Sequence, residues 1–319
     1  MKGRRPFPSR AGTSVEDLHR LVAYHRALLG DGARNRAFRD ALARRVRPGA
    51  RVLDIGAGTG VWAVTAARLG AGRVVAVEKE PLLIPLIEAA ARANGVAGRV
   101  VVVCGDSRRL RLSRRFDVVV SETIGNEAFD EDVVPILEDA RRRFLKPGGA
   151  LIPSVVSLMA APARVGRGRI PAGLALDWSF FSGLSVHFPA SPGLQVRLLG
   201  RPAVLARADL SDRGSGAAAR GEGLVGRWRV RDRRAVDGFA VWPEAELAPG
   251  VRLRTLHGTA WRPRLYASER LPSGPGEVCF RLFLAPPDRR WEVGHQGSVS
   301  VYSPLFAFGA VRPRVPRRR

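Results

Sequence analysis

Two acidic side chains, Glu122 and Glu131, lie nine positions apart across a stretch that contains Gly125. They follow Phe116-Asp117-Val118-Val119-Val120, an apolar run that reads as a buried strand of a parallel sheet. Ligands of such sheets sit beyond the carboxyl ends of the strands. Two carboxylates in one crevice repel each other, so a cation is their natural guest. A planar guanidinium matches carboxylate oxygens in paired hydrogen bonds better than an ammonium does. Glu131, flanked by Asp130 and Asp132, also suits the first turn of a helix, where the macrodipole favours acids.

A second constellation is Val52-Leu53-Asp54-Ile55-Gly56-Ala57-Gly58-Thr59-Gly60. Residues 51–55 read as a strand, three glycines follow at alternate positions, and 61–69 has helical spacing. Glycine leaves room where a strand turns sharply into a helix and where a ligand lies against the main chain. The next apolar run, Val74-Val75-Ala76-Val77, ends in Glu78, eighteen residues past Gly60. A carboxylate there is placed to accept hydrogen bonds from ribose hydroxyls. A nicotinamide dinucleotide site would want G-x-G-x-x-G. The spacing here is Asp-x-Gly-x-Gly-x-Gly, and Asp54 would sit badly beside a pyrophosphate. The alternate-glycine form with a leading Asp resembles motif I of the class I S-adenosylmethionine methyltransferases, whose cofactor carries a cationic amino group and no phosphate. That resemblance implies S-adenosyl-L-methionine as cofactor, bound by Asp54, Gly56, Gly58, Gly60 and Glu78, with Asp106 and Ser107 on the adenine side.

Residues 121–131 fit, position for position, the loop Ser-Glu-x-x-Gly-x-x-x-x-x-Glu of the protein arginine methyltransferase family, which the chain resembles. His25-Arg26-Ala27-Leu28-Leu29-Gly30-Asp31-Gly32-Ala33-Arg34 is similar to that family's His-x-x-Met-Leu-x-Asp-x-x-Arg helix and matches Arg34 to the arginine that holds the cofactor carboxylate. Gly238-Phe239-Ala240-Val241-Trp242 and Thr259-Ala260-Trp261 echo its Gly-Phe-x-x-Trp/Tyr strand and Thr-His-Trp loop. The resemblance implies methyl transfer to guanidino nitrogens of arginine in proteins, with Glu122 and Glu131 orienting the guanidinium. It also implies a homodimer held by a helical arm, for which 163–190, with Trp178, Phe180 and Phe181, is the available segment. The chain departs from the family at several places. The N-terminal tyrosines fall on Val15 and His19, the methionine is Leu28, the loop aromatic is Asn126, the loop histidine is Ala260, and the adenine-side Glu is Arg108. These departures keep open a small guanidino or amino metabolite as acceptor, and the charge of +24 with the basic tail keeps open an RNA in a ribosome-associated reaction; a cofactor-binding protein that has lost catalysis is the remaining alternative.

The elements that must hold these residues alternate. Two amphipathic helices are expected over 15–46, interrupted at Gly30-Asp31-Gly32. Strands at 51–55, 73–78, 99–104, 116–121 and 149–154 alternate with helices at 60–69, 81–94 and 130–144, and Pro147-Gly148-Gly149 forms a turn. Such alternation marks an α/β Rossmann-like, doubly wound sheet. After Pro153 the helical patterns stop and short apolar runs recur, at 194–199, 224–230, 238–242, 251–256, 278–284 and 298–302, as in an all-β barrel-like domain. The expected organisation is a basic N-terminus at 1–14, a cofactor-binding domain at 15–153, a β-barrel substrate domain at 154–310 with a loop at 208–222, and a basic tail at 311–319. Trp62 is expected in the core. His19, His25 and His257 are candidate proton acceptors.

Composition narrows the classes. No apolar run approaches the roughly 18 residues of a membrane span, so no membrane partner is expected. Two cysteines, Cys104 and Cys279, make neither a disulfide framework nor a metal spacing, and a cytoplasmic setting is the default. The net charge of +24 admits nucleic acid as a partner, although only three of the 53 basic residues are lysine, as a GC-rich genome would impose.

Overall fold

The computed structural model describes residues 15–165, the backbone of 185–187, and residues 196–211, 223–256, 259, 261, 263–284 and 290–302. The N-terminus 1–14, most of the expected arm with Trp178, Phe180 and Phe181, loop residues 212–222, His257, Ala260 and the tail 311–319 lie outside the described residues.

Strands β1 (Arg51–Ile55), β2 (Arg73–Glu78), β3 (Val100–Cys104), β4 (Phe116–Ser121) and β5 (Leu145–Ile152) form a parallel sheet in the order β3-β2-β1-β4-β5. Val52, Leu53, Val74, Ala76, Val77 and Val118 to Val120 are buried, which is why these strands read as unbroken apolar runs. The order reverses between β1 and β4, and that reversal opens a crevice at their carboxyl ends.

Helices α1 (Val15–Gly30) and α2 (Gly32–Arg45) precede the sheet. Asp31 caps α2, its Oδ1 accepting the Arg34 amide at 2.9 Å. The buried stripe of α2, made of Arg34, Phe38, Ala41 and Leu42, faces α3 (Val61–Arg68). Phe38 stacks on Trp62 with ring centroids 4.9 Å apart, so Trp62 is a core residue. By contrast, α1 buries no residue at all.

Two boundaries differ from expectation. β5 begins at Leu145, paired with Phe116, and the register then jumps to Ala150 opposite Val118. The turn at Pro147-Gly148-Gly149 is therefore an excursion within a strand, with Gly148 at φ 71°. Helix α4 (Ile84–Ala93) follows a tight turn at Pro81–Leu83, and α5 (Val133–Arg143) starts only after Asp132, whose φ of 60° breaks the helical path. Glu131 consequently lies in the loop before α5 rather than in its first turn.

Beyond β5 the chain is antiparallel. One sheet is built on β6 (Val155–Val165), flanked by β8 (Val196–Leu198) and β9 (Ala203–Asp209) on one edge and by β11 (Gly238–Ala248) on the other. Outside β11 lie β12 (Val251–Arg254) and β13 (Arg264–Ala267), and β13 pairs with β7 (Ser185–His187). A second sheet runs β10 (Leu224–Val230), β14 (Gly276–Phe283), β15 (Arg290–His295) and β16 (Ser298–Tyr302). Strand β10 alternates buried and exposed residues throughout, the mark of a half-solvated sheet, whereas β6 is buried on both faces and shows no alternation. The two sheets enclose an aromatic row in which Phe239 stacks on Phe280 at 4.7 Å and Tyr266 meets Trp291 edge-on at 5.1 Å.

Candidate active site

The glycine turn after β1 is tied to the end of β2. The amides of Gly56 and Ala57 both donate to the Val77 carbonyl, at 2.9 and 3.0 Å. Gly56, Gly58 and Gly60 have φ of 70°, 56° and 79°, the left-handed region where a Cβ is penalised. A Cβ would also meet Thr123 Cγ2 at 2.9 Å from Gly56, His25 Cε1 at 3.1 Å from Gly58 and Ile87 Cγ2 at 2.8 Å from Gly60. The close approaches to this turn are therefore made by side chains of α1, α4 and the loop after β4. Glu78 is buried and held in place, its Oε2 accepting the Gly58 amide and its Oε1 the Glu80 amide, both at 2.8 Å.

Asp54 is fully buried at the end of β1, and neither carboxylate oxygen has a hydrogen-bond partner. Burial pushes its carboxyl up to about 7; the nearby Ala63 amide opposes this only in part, and the charges of Glu78 and Glu122 reinforce it. A buried carboxylate met this sparingly is relieved by a nearby cation.

Glu122, immediately after β4, forms a buried ion pair with Arg34 Nη2. Arg34 Nη1 donates to the Leu28 carbonyl at 3.1 Å and to Asn35 Oδ1 at 3.0 Å, and its guanidinium lies 5.3 Å over the Trp62 ring. Its Nε is buried and unpartnered. Burial lifts the Glu122 carboxyl to about 7 against the pull of Arg34, with Glu131 and Asp31 adding to the rise. Glu131 is lifted as well, by burial and by Asp130, while Lys79 draws it down. Two residues singled out for different partners, Arg34 for the cofactor and Glu122 for the acceptor, thus meet each other.

Helix α1 brings Tyr24 and His25 to the same place. Their rings meet edge-on at 5.2 Å. The Tyr24 hydroxyl is pushed up to about 12 by burial and by the charges of Glu131 and Glu122, and the His25 imidazole is held below its usual value by burial and Arg34. His19 is exposed. Tyr24 carried no signal beyond its position beside His25. On the far side, Arg108 pairs with Asp106 at 3.4 Å and with Asp132 at 3.2 Å. The Arg108 amide, first among the causes, holds Asp106 below the usual carboxylate range. Ser107 is buried, and its carbonyl accepts from Arg143 at 2.7 Å.

The loop 121–131 is anchored at its start and in the middle. Ser121 Oγ donates to the Ile55 carbonyl at 2.9 Å, and Trp261 donates its indole N–H to the Ile124 carbonyl at 2.7 Å. Gly125 leaves the space that the Asp130 carboxylate fills, which a Cβ there would overlap. Glu127, fully buried, is met by Arg264 Nε at 3.1 Å and by the Tyr266 hydroxyl. Sequence reasoning missed these three, because their meeting joins residues 139 positions apart.

Residues 52–149 match the methyltransferase-domain family. The chain is 32% identical over 241 residues to the arginine N(omega)-methyltransferase of Streptomyces achromogenes subsp. streptozoticus, covering 72% of this chain and 66% of that one. It is 33% identical over 143 residues to a probable protein arginine N-methyltransferase 6 of Arabidopsis thaliana, covering 44% of this chain and 33% of that one. The matched stretches thus span less than two thirds of these relatives. In fold it resembles the Trypanosoma brucei PRMT1 enzyme–prozyme heterotetrameric complex with AdoHcy, at a TM-score of 0.68 and 18% identity over 87% of this chain and 96% of that one. Protein arginine methyltransferase 10 of Arabidopsis thaliana gives the same TM-score and identity over 88% and 99%.

Proposed function

For a chain that belongs with the class I S-adenosylmethionine methyltransferases related to the protein arginine methyltransferases, we propose that the acceptor is the guanidino group of arginine. The observation that carries this reading is the crowding of carboxylates at one end of the sheet. Asp54 and Glu122 are both lifted to about 7, with Glu78 buried and Glu131 lifted beside them. Such a cluster is relieved by cations.

In this reading Asp54 takes the cofactor's amino group, Glu78 its ribose, Asp106 and Ser107 its adenine side, and Arg34 its carboxylate through the free Nε. The glycines at 56, 58 and 60 leave the turn open to it. S-adenosylmethionine, when bound, supplies a methyl group on a positively charged sulfur. Glu131 and Glu122 then grip the acceptor guanidinium and align one of its nitrogens. A carboxyl near 7 is a capable proton acceptor at neutral pH, and Glu122 takes the proton the guanidinium must lose. His25, whose imidazole burial and Arg34 hold below its usual value, is available to relay that proton outward.

The acceptor proposed first is arginine in a protein. The match over 241 residues to an enzyme named for arginine alone favours a second reading in which the acceptor is a small guanidino compound. A labelled-methyl transfer assay with an Arg-containing peptide, free L-arginine and RNA separates them. Glu122→Gln is expected to lower transfer to the guanidino acceptor at least 100-fold while S-adenosylhomocysteine affinity by calorimetry changes little. Retained turnover in that variant would overturn the guanidinium reading.

A further inference from the structure

We propose that Glu127, Arg264 and Tyr266 form a positioning cluster through which the second half of the chain sets where Glu122 and Glu131 stand. The inference rests on the reading that those two glutamates hold the acceptor.

Glu127 sits between them in the loop, five positions after one and four before the other. It is 0% exposed, and a carboxylate so placed is tolerated only when it is paired and hydrogen-bonded. Both partners come from β13, two residues apart and therefore on one face of that strand. Arg264 Nε lies 3.1 Å from Glu127 Oε1, and the Tyr266 hydroxyl donates to the same oxygen. The Tyr266 ring and the strand that carries both partners are themselves held. The Tyr266 ring is wedged against Phe280 at 5.6 Å and Trp291 at 5.1 Å, and β13 is paired along its length with β11.

The loop is shaped to receive this grip. The Glu127 amide donates to Asp130 Oδ1 at 3.0 Å, and the Phe129 amide to the Glu127 carbonyl at 2.7 Å. The Ala128 amide closes onto the Gly125 carbonyl at 3.0 Å, and Ala128 itself has φ 65°, a conformation its Cβ disfavours. A strained backbone persists only where its surroundings over-determine it. With Trp261 on the Ile124 carbonyl, β13 and the segment before it hold the loop at two points between the two glutamates. None of the three residues reaches the proposed reacting atoms, so they are positioning residues.

The test uses the full-length protein and the variants Glu127→Gln, Tyr266→Phe and the double. Tyr266→Phe keeps the ring packing and removes only the hydroxyl, so it reports even where Glu127→Gln folds poorly. Hydrogen exchange by mass spectrometry, kcat and KM for the peptide and for free L-arginine, and S-adenosylhomocysteine affinity by calorimetry are measured on each. The expected result is exchange at least 10-fold faster over 121–131 alone. The acceptor kcat/KM should fall 10- to 100-fold, S-adenosylhomocysteine affinity should stay within threefold, and the double variant should be little worse than the more damaging single. Unchanged acceptor kinetics in the folded variants would overturn the proposal, and so would an equal loss of S-adenosylhomocysteine affinity. If the wild-type protein transfers to neither acceptor, the acceptor reading fails and the exchange pattern decides alone. Faster exchange confined to 121–131 then upholds the tether, and unchanged exchange overturns it.

Discussion

Replacing Asp54 with Asn should make the ligand-free protein more stable and its cofactor site worse. The Asp54 carboxyl moves from an ordinary 3.8 to about 7 on folding, because it is fully buried and the Ala63 amide offsets only part of that cost. At about 1.4 kcal/mol per pH unit, a rise of about three units sets a ceiling of about 4 kcal/mol. Local relaxation brings the expected gain to about 1–2 kcal/mol. The sign follows from proton counting. Between about pH 4 and 7 the folded protein keeps a proton that the unfolded chain has released, so stability falls as pH rises through that window. Above pH 7 the whole penalty is present; near pH 4 it is absent. Urea unfolding of the two proteins should therefore diverge with rising pH, the Asn variant being the more stable by about 1–2 kcal/mol at pH 8 and nearly equal at pH 4 and below. Glu122 contributes a slope of the same sign to both proteins, so the difference between them reports Asp54 and its coupling to Glu122. Calorimetry with S-adenosylhomocysteine should show affinity at least 10-fold weaker in the variant. A stability difference that does not vary with pH, or an unaltered affinity, would refute the reasoning.

Methyl transfer by the wild-type protein should rise with pH through about 7, as Glu122 loses the proton that burial helps it keep, and a pH–rate profile of Glu122→Gln should lack that limb. Gly58→Ala should cost about 1–2 kcal/mol of stability from the left-handed backbone alone, read by urea unfolding. Because the new methyl would also press on His25 at 3.1 Å, S-adenosylhomocysteine affinity should drop in the same variant.

Much of the first half was legible because its constraints are local. Three left-handed glycines at fixed spacing, an acid at the end of the next strand and valine runs buried on both faces each leave a mark within ten residues. The parallel sheet and Asp54, Glu78 and Glu122 at its carboxyl edge follow from those marks. The pairing of Arg34 with Glu122 was not legible, since 88 positions separate them and nothing in either segment names the other. Tyr24 escaped notice for a similar reason. In the second half β6, β7, β9, β13 and β15 were missed. The loop expected over 208–222 began inside β9, which runs to Asp209. Strand β6 is nearly all buried and rich in alanine, so it lacks the alternation that betrays a strand such as β10.

The pairing of Glu127 with Arg264 and Tyr266 bears on how separable the two halves of the molecule are. A fragment ending near residue 153 would retain a carboxylate shaped for an interior whose counter-charges had been cut away, and the complementary fragment would keep an arginine and a phenol without the buried carboxylate they meet. Chimeras made by grafting a foreign barrel onto this sheet inherit the same debt unless they carry both donors at matching register. Modularity that looks available from the order of elements along the chain is thus restricted by one buried electrostatic contact.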